Sequence, residues 1–95
     1  MPALWISHVT VTDPVAYKEY ATRAVPVIVE YGGQFLSRGA AFKQIEGTAR
    51  DRHVVVRFAD MATAQACYNS AGYQAALSFA KDASLRDLVI VEETG

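Results

Sequence analysis

The sequence predicts an α+β fold of ferredoxin-like topology, a βαββαβ protomer whose four-stranded antiparallel sheet carries its helices on one face. Three observations predict it. Segments rich in β-branched and aromatic residues occur at Ala3–Val11, His53–Phe58 and Leu88–Val91. Helical stripes fall between the first two strands and before the last one. A turn-rich segment, Glu46-Gly47 to Asp51, joins the two middle strands into a hairpin.

Ala3–Val11 is the first strand. Asp13-Pro14 then starts a helix, because a short carboxylate accepts from free first-turn amides and proline needs no amide partner there. Tyr17, Tyr20, Ala24, Val27, Ile28 and Tyr31 recur at helical spacing on one stripe, and Gly32-Gly33 ends it. Pro26 lies inside and removes one donor, so a bend is expected. Gln34–Phe42 forms the second strand, with Gly39 expected as a bulge, and His53–Phe58 the third. Asp60 begins a second helix, Met61 to about Tyr68, and Ser70 caps a further helical piece with Tyr73, Ala76, Leu77 and Ala80 on one face. Leu88–Val91 closes the sheet.

In this topology the first and third strands are central neighbours. Trp5, Val9 and Val11, with Val54, Val56 and Phe58, are assigned to the helix-covered face. The opposite face then carries Leu4, Ile6, His8 and Thr10 beside His53, Val55 and Arg57. A sheet with one wet face should alternate cleanly between apolar and polar positions. Here Leu4, Ile6, Val55 and the run Leu88–Val91 make the second face apolar too. At about 25 cal/mol per Å², leaving several such side chains in water forgoes several kcal/mol. Against a typical stability of about 5–15 kcal/mol that loss matters. A homodimer that packs sheet on sheet is therefore expected, a dimeric α+β barrel built from one domain spanning residues 1–95.

Composition narrows the function. Hydrophobic residues make up 52% and charged residues 20%, the balance of a folded globular chain. Nine Lys/Arg against ten Asp/Glu leave a net charge of −1, which disfavours nucleic acid as a partner. No apolar run approaches the roughly 18 residues of a membrane helix, and no basic leader precedes one, so no membrane partner and a cytoplasmic location are expected. A lone cysteine fits a reducing compartment and builds neither a disulfide nor a thiol-rich metal centre. There is no G-x-G-x-x-G, no phosphate loop and no nucleophile elbow. The third strand lacks the aromatic platform of RNA-recognition domains that share this topology.

A family resemblance spans nearly the whole chain in order. It rests on Trp5-Ile6, Thr12-Asp13-Pro14 with Tyr17 and Tyr20, Tyr31-Gly32-Gly33, Phe35-Leu36-Ser37-Arg38-Gly39, Glu46-Gly47, Val54-Val55-Val56 with Phe58, Cys67-Tyr68-Asn69-Ser70, Tyr73-Gln74 and Asp87-Leu88-Val89-Ile90-Val91-Glu92. These resemble domain of unknown function 1330, in the dimeric α+β-barrel superfamily. The resemblance implies a ferredoxin-like protomer whose sheet packs on its twin, with helices outside. It also implies kinship with cofactor-free monooxygenases, lactone isomerases and haem-binding enzymes. Three positions depart from the family pattern. Ser70-Ala71-Gly72-Tyr73 stands where members often read Ser-Pro-Glu-Tyr, Ala80 beside Lys81 where an arginine is frequent, and Arg57 where an acid is common.

Four residues are candidates for a site. His8 and His53 are the only histidines and fall on adjacent strands, on the same face. They act as general bases toward a small ligand, or simply hydrogen-bond at the interface. Two imidazoles alone do not make a metal centre, so no metal and no cofactor are expected. Arg38, set close to Arg57 across the hairpin, either clamps a carboxylate or pairs with an acid at the subunit boundary. Tyr20 is core, or the ring wall of a cavity. Cys67 reads as a buried, inert thiol. The leading expectation is a homodimeric pocket protein that binds, or binds and converts, a small organic molecule. A non-catalytic dimerisation or regulatory module is the alternative, and a cofactor-free monooxygenase or isomerase a further one.

Overall fold

A computed structural model describes residues 1–95. The elements are β1 (Ala3–Val11), α1 (Pro14–Glu30), β2 (Gln34–Arg38), β3 (Arg52–Phe58), α2 (Met61–Asn69), α3 (Ala71–Ala80) and β4 (Ser84–Glu92). The four strands are ordered β2-β3-β1-β4, all neighbours antiparallel, so β1 and β3 are central as expected. The helices lie on one face of this sheet, in the ferredoxin-like arrangement.

Local chemistry sets each boundary. The Asp13 carboxylate accepts from the amides of Val15 and Ala16 at 3.2 Å, and Pro14 needs no partner at the first turn. α1 continues through Pro26 to Glu30. Gly33 then runs so close to α1 that a Cβ there would lie 2.8 Å from the Ile28 carbonyl oxygen, which fixes glycine at this corner. Asp60 caps α2 by accepting from the Thr63 amide at 2.7 Å, a bond that holds its carboxyl below the usual range. Ser70 separates the last two helices: its hydroxyl donates to the Cys67 carbonyl at 2.7 Å and accepts from the Tyr73 amide at 3.2 Å.

The core follows the parity of β1. Ala3, Trp5, Ser7 and Val9 are buried beneath the helices. Val56 and Phe58 of β3 join them, as do Tyr73, Cys67 and a run of small residues, Ala64, Ala76 and Ala80, that lets the helices approach closely. The Trp5 ring stands edge-on to Tyr73, with centroids 5.1 Å apart. Cys67 is fully buried, and burial pushes its thiol up to about 11.

Two expectations are corrected. β2 stops at Arg38 instead of Phe42, and its bulge lies between Phe35 and Ser37, not at Gly39. Gly39 instead adopts φ +66°, which turns the chain out of the sheet, and the Arg52 guanidinium packs where a Cβ would be. β4 begins at Ser84, four residues earlier than Leu88, because it pairs with β1 along the whole length of that strand. Strict alternation then splits its apolar run. Leu88 and Ile90 pack against the core, whereas Val89 and Val91 turn to the open face and are 51% and 42% exposed.

Truncating the largest fully buried side chain tests this packing. Trp5→Ala is expected to destabilise the fold by about 3–5 kcal/mol. Urea denaturation checks it, as a lowered midpoint with little change in slope.

Candidate functional site

The sheet divides the candidate residues between two faces. On the open face, His8 and His53 are directly opposed across β1 and β3, and their Nδ1 atoms lie 2.7 Å apart. One imidazole must donate and the other accept. Only one of the two facing Nδ1 atoms therefore carries a proton. The ring of Phe42, from the β2–β3 connection, stands edge-on to His53 with centroids 4.2 Å apart. The Arg50 guanidinium donates to the Asp87 carboxylate at 2.8 Å and to the Thr10 hydroxyl at 3.2 Å. His8, His53, Arg50 and Asp87, together with Gln44 and Thr48, border a pocket of about 150 Å³ with no hydrophobic lining residue. The Nε2 of His53 is buried there without a partner.

On the helix-covered face, three polar side chains meet inside the core. The Tyr20 and Tyr73 hydroxyls are 2.6 Å apart, and the Arg86 Nη2 donates to both, at 3.0 and 3.1 Å. Tyr73 is fully buried and Tyr20 only 7% exposed. Parity puts Arg86 here, because β1 pairs it with Val9 on the core side of the sheet. Arg86 forms no ion pair, and its Nε is buried without a partner. Burial raises the Tyr20 hydroxyl well above the usual phenol range, and the neighbouring Tyr73 adds to the effect. Burial likewise raises Tyr73, partly offset by Arg86. Burial works against the Arg86 cation, but the two phenols prevail and hold its pKa above the ordinary guanidinium value. At neutral pH the cluster is thus two phenols and one cation.

A second arginine group lies between α1 and the hairpin. Arg38 and Arg52 border both a narrow cleft walled by Trp5, Tyr17 and Tyr20 and an adjoining hollow over Thr22, Val25 and Pro26. Neither arginine forms an ion pair, and the Nε of Arg52 is buried without a partner. The cleft has about 30 Å³ of free space, room for one or two waters, whereas the hollow offers about 360 Å³.

His8 and His53 thus come together, as do Tyr20 and Arg38, which line one cleft, but the sheet separates the two pairs. The expected neighbourhood of Arg38 and Arg57 is not found. Arg57 opposes Gln34, while Arg38 opposes Val54 at the other end of the hairpin. Parity also sends Arg57 to the open face, where its Nε donates to Glu93 at 2.6 Å. Arg52, not Arg57, accompanies Arg38. Sequence reading missed the roles of Arg52, Arg50, Asp87 and Arg86. The last had a visible signal: Arg86, Leu88 and Ile90 share one parity, so a cation stands in an apolar stripe. No group of three or more His, Cys, Asp or Glu side chains converges anywhere.

Topology, helix placement and strand order define a ferredoxin-like α+β protein. The profile of the domain of unknown function DUF1330 matches residues 2–94, and the chain belongs to that family. A protein of unknown function from Rhodopseudomonas palustris is similar in structure, with 16% identity, a TM-score of 0.78, and coverage of 99% of this chain and 83% of that one. SnoaB, a cofactor-independent oxygenase from Streptomyces nogalater, is similar at 9% identity and a TM-score of 0.72, with 99% and 94% covered. A dimeric ferredoxin-like protein of unknown function from Bacteroides fragilis is similar at 10% identity and a TM-score of 0.67, with 97% and 96% covered. No curated protein matches.

The buried phenols set an alkaline limit on stability. Their pKa values are raised on folding, so their contribution is intact below about pH 10, the unfolded phenol value, and is lost as pH rises beyond it. Ultraviolet titration should show Tyr20 and Tyr73 ionising only with alkaline unfolding. Tyr20→Phe should lower stability by about 1–3 kcal/mol, as a buried cation loses an acceptor.

Proposed function

We propose that the protein is a homodimer that binds a small organic acid between α1 and the hairpin. One observation carries the ligand reading: Arg38 and Arg52, both free of ion pairs, border the same hollow beside an aromatic-walled cleft. A carboxylate in the hollow would accept from both guanidinium forks, and a flat apolar edge would turn toward Tyr17 and Tyr20. The narrowness of the cleft keeps the ligand small. Tyr20 is then a ring wall and Arg38 one arm of the clamp.

The homodimer rests on the open face of the sheet. Leu4, Ile6 and Val55 are half-buried there, and Leu85, Val89 and Val91 are more exposed. Covering each returns on the order of 1 kcal/mol. The Bacteroides fragilis protein of the same fold is dimeric, which supports a sheet-to-sheet pair and a barrel for this chain. His8 and His53 then face the space between the sheets. Conversion of the ligand, in the manner of a cofactor-independent oxygenase, would need a base beside it. The imidazoles lie across the sheet from the arginine clamp, so the geometry favours binding over turnover. The reading takes residues 1–95 as one domain and, with the lone Cys67 buried, places it in the reducing cytoplasm.

Two measurements test the reading. Calorimetric titration with benzoate should give a saturable heat that is absent with benzamide. Arg38→Ala or Arg52→Ala should each weaken it about tenfold, as expected for a lost charged hydrogen bond. A panel of small aromatic and aliphatic carboxylates that gives no heat overturns the ligand reading. In sedimentation velocity the wild-type chain should run as a dimer and the Ile6→Glu, Val89→Glu double variant as a monomer. A monomeric wild type overturns the assembly.

A further inference from the structure

Two further hollows lie elsewhere, along the outer strand β4 of the sheet, and they form one groove. One, of about 400 Å³, is bordered by Arg86, Lys81 and Tyr68, and the next, also about 400 Å³, by Met61 and Ile90; both include Tyr68 and Leu88, so they are continuous. The floor is the core-facing row of β4, Arg86–Leu88–Ile90, and the wall is α2 and α3. From Arg86 to Ile90 the strand advances roughly 13 Å. The groove is polar and cationic at one end and apolar along the rest.

We infer that this groove binds an elongated monocarboxylate of the medium-chain fatty-acid type. It does so independently of the small-acid site between α1 and the hairpin. The cationic end has charge without a counter-charge. Tyr20, Tyr73 and Arg86 share two phenolic oxygens, both already accepting from Arg86. The tyrosine pair shares one hydroxyl proton between its members, so the guanidinium is held by phenols and by no carboxylate. A half-buried cation with no counter-ion is costly, and no acidic side chain borders either hollow. A carboxylate at the Arg86 end supplies the missing counter-charge, with the exposed Lys81 at the rim as a second cation. Its chain would cover Leu88 and Ile90, core-facing side chains that the helices leave half-buried. The length of the strand row selects a medium chain over a short one.

Decanoate, kept below its micellar concentration, is the probe, and calorimetric titration of the full chain is the readout. Decanoate should bind with one site per chain, and decanol and acetate at least tenfold more weakly. Gln65 borders the apolar end from an exposed position on α2, so Gln65→Trp should fill the groove without disturbing the core and reduce decanoate binding at least tenfold. Arg86→Gln should do the same. If that variant fails to fold, Gln65→Trp and decanol decide the matter. Equal binding of decanoate and decanol, or unchanged affinity in Gln65→Trp, overturns the inference. So does loss of decanoate binding in Arg38→Ala, which would move the chain to the other site. If sedimentation shows the groove covered by a second copy that Gln65→Trp releases and decanoate does not, the inference also fails.

Discussion

A strand presents successive side chains to opposite faces, and this strict alternation decides which groups of the chain can meet. β1 settles the matter for the whole sheet. Trp5, Ser7 and Val9 go under the helices, and Leu4, Ile6 and His8 go outward. Its neighbours are locked to it residue by residue, Val56 opposite Trp5 and Ile90 on the other side, so their parity follows. A slip of one position would bring His8 into the core and Trp5 into water. The separation of the imidazole pair from the tyrosine–arginine cluster is a consequence of register.

The same register forces a cation inward. Arg86 cannot leave the core side of β4 while Leu88 and Ile90 stay there. The structure accommodates it by hydrogen bonding and not by charge neutralisation. Two phenols held by α1 and α3 turn their oxygens to its Nη2, and the guanidinium carbon lies 4.8 Å from the Tyr20 ring centroid. These contacts tie α1, α3 and β4 at one point. By contrast, the ion pairs Arg23–Glu19 and Arg57–Glu93 lie near the surface, in water, and add little.

Much of this was legible in the sequence because it depends on period and punctuation. The limits of β1, the Asp13-Pro14 start, the glycine stop at Gly32-Gly33 and the Ser70 break between helices all come from chemistry confined to a few neighbours. The face assignment of His8 and His53 followed from counting by two. What escaped was long-range or hidden by charge. Arg86-Asp87 interrupts the apolar run of β4, so the strand seemed to begin later, and only pairing with β1 reveals its true length. The β2 bulge shifts register inside a five-residue strand, so Arg38 opposes Val54 on the helix-covered side, the side of Arg52, while Arg57 lies at the other end on the open face. Arg50 and Asp87 are 37 positions apart and meet through a connection without regular structure. No local pattern announces such a contact.

That connection, residues 39–51, has a wider consequence. It contributes Gln44, Thr48 and Arg50 to the histidine pocket and Phe42 to its border, yet carries none of the sheet pairing and no core residue. Two demands that usually compete, holding the scaffold and shaping the recess, are assigned here to different stretches of chain. Insertions, deletions and exchanges in the connection can remodel the recess while folding is spared. Among relatives, diversification should concentrate in this stretch, with the strands beneath it changing slowly.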